Sequence, residues 1–259
     1  MDLENKYGTL ELQKKLLNLL NKFNNFCVEN DIKYSLAYGS LLGAIRHKGF
    51  IPWDDDVDII LSREEFKKLK KLISNSSLFD WDYLSNDALW IGRIKEKNNK
   101  DKTAYPPIID IFILDNVPDS KLLAKIKLLL VLFFMGTAKK KPDLSRFKFV
   151  MQIMAFMTWL FGLLIPNKLK FSLIERISEI GNKSKTQSVS CYNTVFMYMG
   201  KYFPSSMMSD YNFVNFENTS LMIMKGYEEF LTIIYGDYMT PPKDKFGHHL
   251  HPEYGPKYK

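Results

Sequence analysis

Cysteine and histidine are scarce in this chain: two cysteines and four histidines occur among 259 residues. Cys27 and Cys191 lie far apart, so they suggest neither a disulfide framework nor the close cysteine pair of a structural zinc site. The first residues carry charges of both signs and lack the basic and then apolar stretches of a secretory signal. We therefore expect a protein of a reducing compartment, the cytoplasm.

Excess positive charge is absent from both ends of the chain and concentrated in its middle. Residues 1–118 hold 17 Lys/Arg and 18 Asp/Glu, a net charge of −1, and residues 189–259 hold 6 and 7, also −1. Residues 119–188 hold 13 and 4, a net charge of +9. The same segment contains the two longest apolar runs, Leu122–Met135 and Phe149–Ile165. We expect it to form a basic, apolar helical insertion.

Two apolar helices joined by a basic connection suit a protein that lies on an anionic membrane face. A spanning helix needs about 20 apolar residues. Leu122–Met135 is shorter and contains two lysines, and Phe149–Ile165, with 17 residues, is borderline. Two alternatives stay open: both helices are buried in a helical subdomain, or the second one spans the membrane. The favoured interpretation is peripheral association with the inner face of the cell membrane.

The rest of the chain predicts a mixed α/β (α+β) fold, with a mixed sheet flanked by helices. Leucine and phenylalanine recur at helical spacing over Thr9–Asn30, and Ser62 with Glu65 forms a capping box for a second long helix. The predicted strands are "KYSLAY", "VDIIL", "LWIGRIKEK" and "IIDIFILD", and the further helices are "LLGAIRHKG" and "GYEEFLTIIYG".

Four aspartates crowd into five positions in "DDDVD", directly before an apolar strand pattern. In an extended segment Asp54, Asp56 and Asp58 would share one face, and Asp55 would lie on the other. Like charges this close need a cation between them, unless the run is an exposed acidic turn. Carboxylate oxygens suit a hard dication, so the pattern predicts a site for Mg²⁺ or Mn²⁺.

Residues elsewhere can complete such a site. Gly39 allows close approach of the backbone to a ligand, and Ser40 opens a helix whose N–H groups can face a phosphate. Arg46 on that helix can bind phosphate oxygens in a bidentate manner. Asp110 is the lone charge in an apolar strand pattern and can supply a third carboxylate, unless it only bonds to neighbouring backbone.

This combination resembles the nucleotidyltransferase superfamily, and "YGSLLGAIRHKGFIPWDDDVDI" is similar to the signature of the LicD family, which includes phosphocholine transferases and relatives of fukutin and fukutin-related protein. "IDIFILD" resembles the second block of the family, and "YGDYMTPP" followed by "GHH" resembles the C-terminal block. The resemblance is close over Tyr34–Asp115 and loose over Phe216–His249. Ser40 stands where many relatives have threonine, which keeps the hydroxyl.

The resemblance implies transfer of phosphocholine, ribitol phosphate or glycerol phosphate from a CDP-activated donor to a sugar hydroxyl of a glycan (capsule, teichoic acid or lipopolysaccharide). The acceptor would be lipid-linked at the membrane. Asp56 and Asp58 would be the catalytic, metal-binding pair, with Asp54 as a further ligand and Asp110 as the third carboxylate. Gly39, Ser40 and Arg46 would lie along the phosphates of the donor.

Arg93 and Lys95 alternate onto one strand face, where they would contact phosphate or remain solvated. His248 and His249, close to His251, are candidates for binding the acceptor; a zinc site and a purely structural tail are the alternatives. With these roles, residues 1–118 form a nucleotidyltransferase-like catalytic core, residues 119–188 the helical segment, and residues 189–259 complete the active-site cleft.

Two other functions compete with this one. A nucleotidyltransferase that moves NMP onto a small molecule or RNA would share the fold, but the near-neutral residues 1–118 do not favour nucleic acid as a partner. A membrane adaptor without catalysis would not need the three carboxylates Asp56, Asp58 and Asp110. We therefore favour the metal-dependent transferase.

Overall fold

A computed structural model describes residues 8–83, 91–97, 106–139, 149–183 and 185–241. The chain divides into two compact units. Unit 1 consists of Met1–Asp82, Gly92–Phe112 and Ser206–Lys259, and unit 2 of Tyr83–Ile91 and Ile113–Ser205. Strands and helices alternate in the mixed α/β manner expected from the sequence. The assignment of functions to residues 1–118, 119–188 and 189–259 stays a prediction.

Unit 1 contains most of the sheet and the helices around it. Its elements are α1 (Leu10–Glu29), β1 (Ser35–Leu36), α2 (Tyr38–Arg46), β2 (Asp58–Ser62), α3 (Arg63–Ser74), β3 (Phe79–Tyr83), β4 (Gly92–Glu96) and the first part of β5 (Ile109–Val117). The strands follow the order β1-β2-β5-β4-β3, and both β1–β2 and β4–β5 are antiparallel. All residues of β5 up to Asp115 are buried. This strand therefore forms the centre of the sheet.

The two long helices of unit 1 form where the apolar pattern and the capping residues predict them. α1 buries a stripe of leucines that ends at Phe23, whose ring lies edge-on to Tyr34, 5.5 Å between centroids. Ser62 caps α3 by accepting a hydrogen bond from the N–H of Glu65, 3.3 Å away. Both helices and the Ser62 N-cap are confirmed, whereas the carboxylate of Glu65 accepts a hydrogen bond from the N–H of Lys33 at 2.9 Å.

The first strand and the short helix after it differ from the prediction. The strand expected over "KYSLAY" is limited to Ser35–Leu36, and α2 already begins at Tyr38 rather than after Gly39 and Ser40. The reason is local: Tyr38 adopts a left-handed backbone conformation, φ 40°, which turns the chain directly from β1 into the helix.

A β-hairpin near the C-terminus was not predicted. Its strands are β8 (Tyr211–Phe216) and β9 (Thr219–Met224), and the helix α7 (Tyr227–Tyr235) follows them. The hairpin joins the core through β9, where the N–H of Met224 donates to the hydroxyl of Ser35 at 2.9 Å. The side chain of Glu217, in the turn of the hairpin, accepts a hydrogen bond from the N–H of Phe50 at 3.0 Å. The hairpin therefore packs against the loop that precedes the acidic run.

Unit 2 is mainly helical. Its elements are the last part of β5, α4 (Lys121–Ala138), α5 (Phe149–Gly162), α6 (Asn167–Ser178), β6 (Ser188–Cys191) and β7 (Phe203–Pro204). β6 pairs antiparallel with β5, and β7 with β6. Val131 and Met135 of α4 pack with Ile174 of α6 and with Tyr192 in a small apolar core. None of the helices in the described part of the chain is both long and apolar enough to cross a membrane.

Candidate active site

Asp58 and Asp110 are buried on neighbouring strands. Asp58 is the first residue of β2 and Asp110 the second residue of β5, and these strands are adjacent in the sheet. The N–H of Asp110 donates to the carbonyl of Val57, 2.8 Å away, which fixes the register at the start of β2. Each aspartate is 8% exposed. The structure thus brings together two of the predicted carboxylates from separate strands.

The aspartates before β2 do not alternate as the sequence pattern predicted. Residues 54–57 follow a turn and have no regular structure, so the period-two rule for strands does not govern them. Oxygens of Asp54, Asp55 and Asp56 all lie within 4.8 Å of one another. Asp55, which the strand assumption placed on the opposite face, therefore belongs to the cluster. The acidic run itself was the only signal in the sequence that could have included it.

Helix α1 holds the acidic run in place. The side-chain amide of Gln13 donates to the carbonyl of Ile51 at 3.1 Å and to the carbonyl of Asp54 at 2.8 Å. The hydroxyl of Thr9 donates to the carbonyl of Pro52 at 2.7 Å. These bonds satisfy backbone acceptors that the irregular conformation leaves without partners in the sheet. No sequence motif marked Gln13 or Thr9 as part of the site.

Burial and mutual repulsion raise the pKa values of the carboxyls of Asp54, Asp56 and Asp58. Burial, followed by the charges of Asp110 and Asp55, raises the pKa of Asp56 to about 7. Burial, followed by the charges of Asp56, Asp110 and Asp54, raises the pKa of Asp58. The pKa of Asp54 is raised by burial and then by Asp56 and Asp55. Each carboxylate therefore destabilises the charged form of its neighbours, which is the arrangement that a cation relieves.

Two groups provide partial compensation for this negative charge. Nε of Arg93, which faces Asp110 across the β4–β5 ladder, lies 2.7 Å from Oδ1 of Asp110. Arg93 also opposes the rise in the pKa of Asp56. The backbone N–H of Gly39 hydrogen-bonds the carboxylate of Asp58, which opposes the rise in its pKa. Arg93 was predicted to contact phosphate or solvent, and the structure shows it paired with Asp110.

The start of α2 packs directly against the acidic cluster. The hydroxyl of Ser40 accepts a hydrogen bond from the N–H of Asp58 at 2.9 Å, so it joins α2 to β2. A Cβ atom at position 39 would lie 2.8 Å from Oδ2 of Asp54, closer than such atoms approach in real structures. Gly39 is therefore needed for the close approach that the sequence suggested, although the group approached is Asp54.

The segment that contains the acidic cluster is similar to a known protein family. Residues 31–117 match the family described as LicD/FKTN/FKRP, nucleotidyltransferase domain. The chain carries a LicD-family domain. It contains β1, β2, β4, β5 and all the clustered aspartates. The resemblance to this family that the sequence suggested is confirmed over these residues.

Three relatives show how far the similarity extends. The chain is 29% identical to the lipopolysaccharide cholinephosphotransferase LicD of Haemophilus influenzae, over 94% of this chain and 97% of that protein. It is 40% identical over 58 residues to an uncharacterized protein of Rickettsia prowazekii, which is 22% of each chain. An uncharacterized protein of Rickettsia typhi is 44% identical over 50 residues, 19% of this chain and 16% of that protein.

The acidic cluster of the LicD-family domain fits a hard dication. All of its ligand atoms are carboxylate oxygens, the ligands that Mg²⁺ and Mn²⁺ prefer. Oδ2 of Asp54 is buried and has no hydrogen-bond partner among the described residues, so it is available as a ligand. Asp54, Asp55 and Asp56 would hold the ion, with Asp58 beside them. Metal binding itself stays a prediction.

The other residues predicted to bind substrate are Arg46, Lys95, His248 and His249. Arg46 ends α2, and one of its terminal nitrogens donates to the carbonyl of Tyr238 at 2.9 Å, which ties α2 to the segment after α7. Lys95 is partly buried on β4, two residues beyond Arg93. Their roles in phosphate binding stay predictions. His248 and His249 lie outside the described residues.

Replacing Gly39 with alanine should impair the LicD-family site while leaving the fold intact. The three atoms nearest to the added methyl group all belong to the side chain of Asp54, so that carboxylate must move, whereas alanine is a better helix former than glycine. We expect a loss of transferase activity of about 10-fold to 100-fold, as misplacement by about 1 Å causes elsewhere. The melting temperature should change by less than about 2 °C.

Gly43→Ala provides the matched comparison within the same helix. A Cβ there would lie 2.5 Å from the carbonyl oxygen of Gly49, and backbone cannot rotate aside. This variant should lose several degrees of melting temperature. Full activity in Gly39→Ala would show that the position of Asp54 does not matter for catalysis.

Proposed function

We propose that this chain transfers a phospho-alcohol group from a CDP-activated donor to a sugar hydroxyl of a cell-surface glycan, with release of CMP. Phosphocholine is the best-supported group, because the relative that aligns over nearly the whole chain is a lipopolysaccharide cholinephosphotransferase. This near full-length similarity is the observation that carries the proposal. Ribitol phosphate and glycerol phosphate are the other candidate groups.

The acidic cluster supports this reaction on chemical grounds. In phosphoryl transfer the attacking and leaving oxygens must be aligned, and negative charge on the phosphate oxygens must be neutralised. Mg²⁺ or Mn²⁺ bound to Asp54, Asp55 and Asp56 would supply that neutralisation at the diphosphate of the donor. The clustered aspartates alone would repel the diphosphate, so a site of this composition requires a cation to bind such a substrate.

The acceptor hydroxyl must lose its proton as its oxygen forms a bond to phosphorus. The bond between that phosphorus and the oxygen of CMP breaks, and CMP leaves with the electron pair. Asp110 is our candidate for orienting the acceptor hydroxyl and taking its proton. Arg93 contacts Oδ1 of Asp110 at 2.7 Å, and this contact fixes the orientation of the carboxylate. A carboxylate that is already held in this orientation needs little reorganisation during the reaction.

A donor screen tests the proposal. The protein is incubated with Mg²⁺, an acceptor lipopolysaccharide and one of CDP-choline, CDP-ribitol or CDP-glycerol, and the release of CMP is measured. We expect CDP-choline to react at least about tenfold faster than the other two, because a pocket that binds one alcohol leaves polar groups unpaired with another. Reactions without acceptor measure background hydrolysis of the donor.

Transfer of NMP in place of a phospho-alcohol group would contradict the proposal. The family description names a nucleotidyltransferase domain. If none of the three donors releases CMP, while labelled nucleotide from CTP or ATP is incorporated into a small molecule or RNA, the chain transfers NMP instead. Faster reaction with CDP-ribitol or CDP-glycerol would retain the reaction class and replace phosphocholine as the group transferred.

A further inference from the structure

Helix α4 differs from an ordinary surface helix, because it exposes a second apolar face in addition to the apolar residues that it buries. Its exposed apolar residues recur at intervals of three and four, which places them along one face: Leu122, Leu123, Ile126, Leu129, Leu130 and Phe133. A surface helix of a globular protein turns this face toward the core. Among the described residues, this face therefore lacks the covering that its composition calls for.

Lys127 lies on the opposite, inward face of α4. It is 1% exposed, and its Nζ donates to the carbonyls of Asn116 at 2.7 Å and Ile180 at 2.9 Å. The same Nζ lies 4.3 Å from the centroid of the Tyr192 ring, a cation–π contact. These contacts fix the rotation of α4 about its axis. The outward position of the leucines is therefore determined by packing within unit 2.

Helix α5 and the residues after it extend the apolar face. Its exposed side chains are Ile153, Met154, Phe156, Met157, Leu160, Phe161, Leu163 and Leu164. The rings of Phe133 on α4 and Phe161 on α5 lie 5.6 Å apart, so the faces of the two helices are continuous. Individual exposed leucines are normal on a protein, but contiguous apolar patches of this extent mark an interaction site.

Small residues hold α4 and α5 tightly together. A Cβ at Gly162 would lie 2.2 Å from the carbonyl oxygen of Thr137, and one at Gly136 would lie 2.7 Å from Oγ1 of Thr158. Small residues at a helix–helix contact allow the two backbones to approach closely. The apolar face is thus presented on a close-packed pair of helices.

The charges next to this face are positive. Lys121 and Lys125 are exposed on α4, and Lys168 is exposed at the start of α6 beside Leu169, which is 51% exposed. Neither α4 nor α5 contains an aspartate or glutamate. The whole segment 119–188 carries a net charge of +9. Basic residues beside exposed apolar ones complement the head groups and the acyl chains of an anionic bilayer.

The lengths of the helices decide how they would meet a bilayer. At 1.5 Å per residue, the 18 residues of α4 cover about 27 Å and the 14 residues of α5 about 21 Å. The hydrocarbon core of a bilayer is about 30 Å thick, so the pair suits the interface rather than a crossing.

We propose that α4, α5 and the start of α6 form a monotopic docking surface that places its apolar side chains in the outer part of an anionic phospholipid bilayer, with Lys121, Lys125 and Lys168 at the head groups. This inference rests on unit 2 alone and does not depend on the proposed reaction. It defines the residues behind the peripheral association expected from the sequence.

Vesicle co-sedimentation of the full chain tests the proposal. Vesicles of phosphatidylcholine with 30% phosphatidylglycerol, a composition that we choose, are compared with vesicles of phosphatidylcholine alone, at low and high salt. We expect at least about tenfold tighter binding to the anionic vesicles at low salt, because each lysine near the surface contributes about 1 kcal/mol. High salt should reduce this preference.

Substitutions separate the apolar face from the rest of the surface. Leu129→Glu and Phe161→Glu should each weaken binding to anionic vesicles roughly tenfold or more. Each substitution removes an apolar side chain that would enter the bilayer and adds a negative charge that the anionic lipids repel. Leu78→Glu is the matched control: Leu78 is 52% exposed but lies in unit 1, and binding should not change. All three variants should retain the melting temperature and the CMP release of the parent protein.

Two outcomes would overturn the docking surface. In the first, Leu129→Glu and Phe161→Glu bind anionic vesicles as tightly as the parent protein. In the second, the chain without vesicles is a dimer in analytical ultracentrifugation and Leu129→Glu is a monomer, which would identify a second copy of the chain as the occupant of the face. Failure of the donor screen would leave both measurements unaffected.

Discussion

Replacing Asp58 with asparagine should reduce CMP release about 1,000-fold or more. The substitution keeps the size of the side chain and its place at the start of β2, but it removes a negative charge from the cluster that we propose to bind the cation. Charge stabilisation by such an ion is worth several kcal/mol, and about 1.4 kcal/mol corresponds to a factor of ten in rate. The measurement is the initial rate of CMP release with the best donor and saturating Mg²⁺.

The matched control for Asp58→Asn is Asp210→Asn. Asp210 is an exposed carboxylate of unit 1 whose Oδ2 lies 2.8 Å from Nζ of Lys225, and surface ion pairs of this kind contribute little to stability. Asp210→Asn should release CMP at the parent rate. If Asp58→Asn does so as well, the assignment of the acidic cluster as the catalytic site is wrong.

Asp56→Asn should make the metal-free protein more stable at pH 8, because it removes one of the mutually repelling negative charges. The folded protein raises the pKa of Asp56 from 3.8 to about 7, and those of Asp54 and Asp58 are raised as well. A carboxyl whose pKa is raised by folding contributes stability below its unfolded pKa, and this contribution is lost as the pH rises through its folded pKa. The metal-free parent protein should therefore lose stability between about pH 4 and pH 8.

Mg²⁺ should reverse this loss for the parent protein and not for Asp56→Asn. At a free ion concentration of about 100 times Kd, binding stabilises by about 2.7 kcal/mol, or roughly 5–10 °C in melting temperature for a chain of this size. The increase should be larger at pH 8 than at pH 5, because protons compete with the ion for the carboxylates. The measurement is thermal unfolding in EDTA and in Mg²⁺ at matched ionic strength.

The pH dependence of the melting temperature can contradict the prediction for Asp56→Asn. A melting temperature of the parent protein in EDTA that does not fall between pH 5 and pH 8 would mean that the carboxyls do not repel one another. Asp210→Asn should show the same increase with Mg²⁺ as the parent, because Asp210 is 59% exposed and pairs with Lys225.

The amino-acid pattern was sufficient to locate the acidic cluster but not to arrange it. Asp58 and Asp110 start or enter strands whose apolar residues are unambiguous, so their meeting on neighbouring strands could be predicted. The position of Asp55 could not, because it depends on where β2 begins. The irregular segment before β2 is held by hydrogen bonds from Gln13, about 40 residues earlier in the chain, and no local sequence pattern predicts them.

Two further features depend on contacts that are distant in sequence. Tyr38 adopts its left-handed conformation although glycine follows it, so residue type alone pointed to the wrong position for the turn. In α4 the sequence shows two lysines within an apolar run, and nothing local states that Lys127 faces inward while Lys125 faces outward. The acceptors of Lys127, the carbonyls of Asn116 and Ile180, become neighbours only in the folded chain.

The anchoring of the acidic run by α1 bears on what constitutes a self-sufficient folding module. The LicD-family match starts at residue 31, yet Thr9 and Gln13 donate to the carbonyls of Pro52, Ile51 and Asp54 from outside it. Glu217 supports the same loop from the distal hairpin. The matched segment therefore contains all the clustered aspartates, but flanking sequence on both sides helps to hold the loop before β2. A fragment limited to residues 31–117 would keep every clustered aspartate but lose the hydrogen bonds from Thr9, Gln13 and Glu217 that support the loop before β2.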